Sequence, residues 1–138
     1  MTQRLSFAKF HQYDTTKKGI TLPVTLSLGG QSIDLKAKLD PGSTYCVFAR
    51  FVGEQLGLTI EAGLRERIGT VTGSFLAYGH EVRLSVFELD YDVTVYFAED
   101  PNFGRNVLGR QGWLDRIRLG LIDYEGKLFV SDYNDPGE

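Results

Sequence analysis

The sequence has a single cysteine and no long hydrophobic run. Cys46 cannot form a disulfide within the chain, and it lies in the apolar stretch Tyr45-Cys46-Val47-Phe48, where a buried thiol is the expected state. No apolar stretch approaches the ~20 residues that cross a bilayer, and residues 1–13 lack the apolar core of a signal peptide. These absences predict a soluble, cytoplasmic chain, unless it is cut from a longer one.

The sequence also has no excess of positively charged residues. The 15 Lys and Arg residues face 18 Asp and Glu residues, giving a net charge of -3, and the two signs are interspersed. No basic field attracts a phosphate backbone or an anionic membrane, so neither nucleic acid nor a membrane is an expected partner. His11 and His80 have no Cys or His at metal-ligand spacing, so no metal or cofactor is expected and both histidines are predicted in solvated loops.

The 138 residues, 42% of them hydrophobic, fit one domain with a real core. Apolar residues alternate with others from Thr21 to Leu28 and again from Ile33 to Leu39, and Gly29-Gly30 lies between the two runs, which predicts a tight β-hairpin. Pro23 favours an edge position for the first strand. The second strand ends immediately before Asp40.

The rest of the chain is also rich in strand signals. A short helix is predicted near residues 48–56, ended by Gly57, and a second near residues 111–118. The predicted strands lie at residues 68–71, 75–78, 82–86 and 93–97, with a final hairpin of residues 119–122 and 128–130. Two short helices in a strand-rich chain favour an all-β barrel or sandwich.

Asp40 is distinguished by its surroundings and not by its turn motif. The segment Leu39-Asp40-Pro41-Gly42-Ser43-Thr44 is a good turn sequence, but Asp135-Pro136-Gly137 repeats its central tripeptide in the polar tail. Apolar residues flank only Asp40, so its turn is expected to be embedded in the core. A buried acid is costly unless hydrogen bonds or a functional role compensate.

Three segments in order resemble the retropepsin-like, single-lobed aspartic proteases of the retroviral type. Asp40, Gly42 and Ser43 match the family motif of Asp, Thr or Ser, Gly, and Ala or Ser, whereas Pro41 departs from it. Thr72-Gly73-Ser74 resembles the flap hairpin that covers substrate. Val107-Leu108-Gly109-Arg110, about 70 residues after Asp40, is similar to the second signature.

The resemblance implies a retropepsin-like closed β barrel with a flap hairpin and one or two short helices. Residues 21–131 would form this domain, residues 1–20 an N-terminal extension or dimer-contact segment, and residues 132–138 a tail. It further implies an aspartic endopeptidase that acts on protein or peptide substrates, with Asp40 from each subunit of a homodimer in one catalytic dyad. The active-site loop would comprise Pro41, Gly42, Ser43 and Thr44.

Two departures from the family pattern leave alternative functions open. In the family, the residue after the aspartate grips the partner subunit through its hydroxyl and backbone N–H, and Pro41 has neither. The arginine of the second signature usually pairs with an acid just beyond the catalytic motif, but here Thr44 is followed by no acid before Glu54. The alternatives are a catalytically inactive domain that binds peptides or dimerises, and a processing or scaffold domain of a larger polypeptide.

Overall fold

The computed structural model describes residues 1–137, and these residues contain ten β-strands, one α-helix and three 3-10 turns. The 3-10 turns span Ile60–Ala62, Leu114–Arg116 and Asp123–Glu125. The elements are β1 (Lys9–Gln12), β2 (Thr21–Leu28), β3 (Gln31–Leu39), β4 (Val47–Phe48), α1 (Arg50–Gln55), β5 (Leu64–Thr70), β6 (Gly73–Val86), β7 (Leu89–Ala98), β8 (Val107–Leu108), β9 (Ile117–Ile122) and β10 (Lys127–Asp132).

Six strands close into a barrel. The larger sheet has the order β2-β3-β8-β4-β7-β6-β5, and an additional pairing of β2 with β6 joins its two sides into a ring. β5 lies outside this ring and pairs only with β6. The predicted all-β, closed-barrel class is therefore confirmed.

The β2–β3 hairpin forms as its alternating pattern predicts. Gly29 and Gly30 both have positive φ, at 54° and 88°, which is the conformation that two-residue hairpin turns require. β2 pairs with β6 only through its residues 25–27. Pro23 therefore lies in the part of β2 that pairs with β3 alone. The edge position predicted for Pro23 is thus confirmed, and β3 delivers the chain to Asp40.

β6 corrects the prediction of two separate strands at residues 75–78 and 82–86. It runs unbroken for 14 residues, pairing with β5 in its first half and with β7 along most of its length. Gly79 and His80 suggested a turn, but Gly79 packs against the ring of Tyr96, leaving no room for a side chain. His80 places Nε2 2.8 Å from the Ile60 carbonyl oxygen, so the strand continues through both residues.

The first predicted helix is present and the second is not. α1 ends in a Schellman motif, in which the Leu58 N–H donates to the Gly53 carbonyl and Gly57 has a φ of 87°. The chain at residues 111–118 forms only the 3-10 turn Leu114–Arg116 before β9 begins. Its apolar residues follow a helical spacing, but Gly112 has a φ of 101°, which no α-helix accommodates.

The chain termini form a second sheet. β10 lies between β1 and β9, so the segment before residue 21 supplies a strand to the folded body, and β10 extends to Asp132. Arg118 donates a hydrogen bond of 2.7 Å to the Asp135 carbonyl, which ties the residues after β10 to β9. The hairpin predicted around residues 119–130 is confirmed as β9 and β10.

The core lies inside the barrel and beneath the terminal sheet. Trp113, Phe48 and Phe97 are its largest fully buried side chains, and Cys46 is fully buried, as predicted. The prediction of loop histidines is wrong, since His11 lies in β1 and His80 in β6, both half-buried. Across residues 1–137 no helix has both the length and the apolar character needed to cross a membrane.

Candidate functional site

The Asp40 turn is fixed at both ends by backbone hydrogen bonds. The Asp40 N–H donates to the Leu108 carbonyl (3.0 Å), and the Ser43 N–H donates to the Asp40 carbonyl (3.0 Å). Asp40 Oδ1 accepts the Gly42 N–H at 2.9 Å, which satisfies one carboxylate oxygen within the turn. The carboxylate is therefore oriented by the backbone.

The expectation that the whole turn is embedded in the core is wrong. Asp40 and Ser43 are half-buried, whereas Pro41, Gly42 and Thr44 are exposed. The apolar residues on either side of the turn, from Leu39 and from Cys46 onward, enter the core. The turn itself lies at the barrel surface, where a second molecule could contact it.

The repeated tripeptide in the tail forms the same side-chain hydrogen bond, although Gly137 has a positive φ of 89° and Gly42 does not. Asp135 Oδ1 accepts the Gly137 N–H at 2.9 Å, matching the Asp40 to Gly42 bond in donor, acceptor and length. What Asp-Pro-Gly provides in both places is the bond from the glycine N–H to the aspartate side chain, which caps the backbone two residues on. What sets Asp40 apart is the structure around it.

The second signature packs directly against the first. Val107 and Leu108 form β8, which lies between β3, to which it is parallel, and β4. The Arg110 N–H then donates to the Ser43 carbonyl (2.9 Å), and the Gln111 N–H to the Thr44 carbonyl (2.8 Å). The structure therefore brings together two segments that the sequence separates by about 70 residues.

Gly109 makes this close contact possible. A Cβ at this position would collide with the Tyr45 carbonyl oxygen and would lie 2.7 Å from the Ser43 carbonyl oxygen. Cys46 supports the same junction, since its Sγ accepts the Gly109 N–H (3.3 Å) and lies 3.4 Å from the Gln111 carbonyl oxygen. Burial raises the pKa of the Cys46 thiol to about 12, so the sulfur is a neutral packing group.

The Arg110 side chain is exposed and forms no ion pair with any residue between 1 and 137. Its backbone contributes instead, because the Asp115 N–H donates to the Arg110 carbonyl at 2.9 Å. The acid that is absent between Thr44 and Glu54 in the sequence is not replaced by one from elsewhere in the described chain. Arg110 therefore contributes to the junction through its main chain.

Asp40 lies in a cleft of about 750 Å³ beneath the β5–β6 hairpin. Thr70 pairs with Gly73, so Val71 and Thr72 form the two-residue tip, and both line the cleft. Gly73 and Ser74 do not line it, and the Ser74 hydroxyl instead accepts a hydrogen bond from Arg67 (3.1 Å). The other lining residues are Gly42, Ser43, Val47, Ile68, Gly69, Thr70, Phe75, Phe103, Arg105 and Val107.

Two contacts hold the hairpin over the cleft. The Tyr45 hydroxyl donates to Glu66 Oε1 at 2.7 Å, joining the end of the Asp40 loop to β5. This hydrogen bond to a carboxylate is the main cause that raises the pKa of Tyr45. On the other side, the rings of Phe75 and Phe103 stack with centroids 4.6 Å apart.

Sequence patterns did not identify Tyr45, Glu66, Phe75, Phe103 or Arg105 as site residues. Phe103 and Arg105 precede the second signature by only a few positions. That proximity is the one sequence feature that indicates a place in the site. The contact between Tyr45 and Glu66 depends on how the hairpin folds back, which no local pattern encodes.

The cleft contains one acid. Asp40 is the sole carboxylate among its lining residues, and Arg105 is the sole base. Within the described chain, no group of three or more His, Cys, Asp or Glu side chains is arranged to hold a metal ion. The part of the chain that the structure describes thus supplies one carboxylate to this cleft.

The closed barrel, the strand β8 inserted beside the Asp40 turn and the overhanging hairpin define an all-β, retropepsin-like fold. No family model matches the sequence, and no curated protein is significantly similar to it. Among solved structures, the chain is similar to the EIAV protease complexed with the inhibitor HBY-793, with a TM-score of 0.53 and 21% sequence identity. The match covers 68% of this chain and 84% of that chain, and at this identity it establishes the fold.

Proposed function

We propose that the protein is an aspartic endopeptidase that hydrolyses peptide bonds through a dyad formed by Asp40 of two subunits. The observation that carries the proposal is the position of Asp40, oriented by the backbone in a cleft beneath a hairpin. Because no second acid among residues 1–137 lines that cleft, the proposal takes the second carboxylate from a second copy related by a two-fold axis.

The reaction requires two carboxylates that share one proton. Two carboxylates a few ångströms apart do not both ionise easily, so one stays protonated and polarises the substrate carbonyl while the other draws a proton from water. The attacking water adds to the carbonyl carbon, and the proton held by the dyad later passes to the leaving amine. The Gly42 N–H binds only Oδ1 of Asp40. The other carboxylate oxygen is therefore free for proton transfer.

The β5–β6 hairpin serves as the flap in this proposal. Its tip residues Val71 and Thr72 lie across the cleft from Asp40, and an extended peptide would be held between the hairpin and the Asp40 loop. The hydrogen bond between Tyr45 and Glu66 and the stacking of Phe75 on Phe103 keep the hairpin close to the floor of the cleft.

The exposed turn supplies the surface for the partner. Pro41, Gly42 and Thr44 are exposed in the single chain, and contact with a second copy would cover them. Pro41 donates no hydrogen bond, so the interface lacks bonds worth about 0.5–1.5 kcal/mol each, and the symmetry doubles the loss. The expected result is a dimer weakened by at least about ten-fold relative to one with threonine at this position.

The test compares the whole chain with two matched variants. Wild type, Asp40→Asn and Asp135→Asn are incubated with unfolded protein substrates between about pH 3 and 7. Asp135 accepts the corresponding bond in the tail, so its variant controls for the loss of a carboxylate from an Asp-Pro-Gly turn. Wild type and Asp135→Asn should cleave, and Asp40→Asn should lose at least about a thousand-fold in rate. Equal cleavage by all three proteins would refute the proposal.

The second candidate is a catalytically inactive domain that binds peptides or dimerises through the same surface. Pro41 favours it, because the residue removes donors from the loop that has to meet its counterpart. A chain that stays monomeric at high concentration, binds peptides in the cleft and cleaves none would support this candidate. Turnover that depends on Asp40 and is inhibited by pepstatin would exclude it.

A further inference from the structure

Arg105 is a cation on the wall of the cleft, and no residue from 1 to 137 neutralises it. Its side chain is exposed and takes part in no hydrogen bond or ion pair with the described chain. Arg110 also has no ion pair, but Arg105 is the arginine among the residues that line the Asp40 cleft. An unpaired guanidinium in a binding cleft is available to a ligand.

The cleft that Arg105 lines also has apolar residues. Phe103 stacks on Phe75, and Ile68, Val71 and Val107 are further lining residues. A guanidinium can bind a carboxylate through two parallel hydrogen bonds. The cleft therefore combines an aromatic surface with a site for one negative charge.

The charge balance of the cleft also favours an acidic ligand. In the proposed dimer, the two Asp40 carboxylates share a proton and carry about one negative charge between them. The two copies of Arg105 carry two positive charges, since guanidinium stays protonated at any working pH. A peptide that carries a carboxylate thus meets a net attraction in spite of the overall charge of -3.

We propose that Arg105 makes the cleft selective for peptides with a glutamate or aspartate close to a large apolar residue at the cleaved bond. The proposal rests on the proposed function of the cleft as a peptide site. It adds a preference for substrate charge and assigns that preference to one side chain, which acts by binding and not on the reacting atoms.

The test uses peptides that share one cleavable, phenylalanine-containing core. Glutamate, glutamine or lysine is placed in turn at each of three positions on either side of the bond, and kcat/KM is measured near pH 6. Wild type should prefer glutamate over glutamine by about five-fold at one or more positions, the ratio that a favourable exposed ion pair gives. Arg105→Gln should abolish the preference, and Arg105→Glu should shift it to lysine.

Three controls separate this effect from general loss of activity. Arg83 lies near the start of β3, whereas Asp40 follows the end of that strand. Arg83→Gln should therefore keep the preference for glutamate. The preference should shrink below about pH 4, where the peptide glutamate becomes protonated. It should also shrink at high salt, which screens the exposed part of the pair.

The outcomes distinguish this inference from the proposed activity. Cleavage with equal kcat/KM for glutamate and glutamine at every position overturns the role of Arg105 and leaves the endopeptidase standing. If no peptide is cleaved, binding of the same peptides is measured by fluorescence anisotropy. Tighter binding of glutamate peptides that disappears in Arg105→Gln then supports the inference without the activity, whereas binding independent of charge, or no binding, overturns it.

Discussion

Replacing Gly109 by alanine should destabilise the protein strongly, because the position has no space for a methyl group. The added Cβ would collide with the Tyr45 carbonyl oxygen and lie 2.7 Å from that of Ser43, where real Cβ atoms essentially never come within 3.0 Å. Both obstacles are backbone atoms, so no side-chain rotation relieves the contact. The segment carrying Gly109 and the segment carrying Ser43 have to move apart.

The size of the effect follows from the bonds at this junction. Separation would break the bonds from the Arg110 and Gln111 N–H groups to the Ser43 and Thr44 carbonyls, costing about 1–3 kcal/mol together. Residual overpacking adds about 1–3 kcal/mol. The free energy of unfolding should therefore fall by about 2–6 kcal/mol, a large part of the ~5–15 kcal/mol typical of a domain.

Urea unfolding, followed by tryptophan fluorescence at fixed protein concentration, measures this loss, since the single Trp113 is fully buried. The midpoint for Gly109→Ala should drop by at least about 1 M. Gly104→Ala is the matched control, because nothing lies within 4 Å of its added Cβ, and its stability should change by no more than about 0.5 kcal/mol. A wild-type midpoint for Gly109→Ala would refute the packing argument.

Three further predictions concern the turn, the thiol and the terminal sheet. Pro41→Thr should tighten self-association about ten-fold or more in sedimentation equilibrium, with Pro136→Thr as the control, and equal dissociation constants would contradict it. Burial of Cys46 raises its pKa to about 12, so iodoacetamide at pH 8 should label the native protein at least about a thousand-fold more slowly than the unfolded chain. Comparable rates would show that the junction opens readily. The hydrogen bond from Tyr91 lowers the pKa of Asp132, so this stabilisation is complete above the unfolded value of ~3.9 and is lost as the pH falls through the lower folded value. Asp132→Asn should therefore flatten the decline of the urea midpoint between about pH 5 and 2, whereas an unchanged slope would refute the linkage.

The parts of the fold that were predictable from the sequence are those that local chemistry determines. The β2–β3 hairpin follows from strict alternation and the Gly29-Gly30 pair, and the end of α1 follows from Gly57. The bond from the Gly42 N–H to the Asp40 side chain follows from the tripeptide, since the corresponding bond forms at Asp135. Each of these features is encoded within about 20 consecutive residues.

The predictions that failed depend on contacts between distant segments. The unbroken β6 passes through Gly79 and His80 because Tyr96 and Ile60 pack against them, and neither partner is a sequence neighbour. The apolar spacing of residues 111–118 looked helical because Trp113 and Ile117 are both buried. Trp113 reaches the core from an irregular segment that starts beside the Asp40 loop, and Ile117 does so as the first residue of β9.

The residues of the site also fall into those that the sequence identifies and those that depend on distant contacts. Asp40 and Gly109 were identifiable because their chemistry depends on residue type at a fixed place, one needing a carboxylate and the other needing no side chain. Phe75, Phe103 and Arg105 are ordinary residues that acquire a role only when the hairpin folds over the cleft. Their assignment therefore required the tertiary structure.

The comparison of the two Asp-Pro-Gly turns shows why the dependence of the rate on protein concentration is the most informative test of function. Asp40 and Asp135 cap their turns with bonds of the same length, 2.9 Å, so this bond does not distinguish the two aspartates. Among residues 1–137, the cleft around Asp40 adds the hairpin and apolar lining residues but no second carboxylate. In the proposed mechanism catalysis depends on a partner subunit, so the rate per chain should rise with protein concentration until the dimer is saturated. A rate per chain that stays constant from far below to far above the dissociation constant would rule out the shared dyad, even for a protein that cleaves peptides.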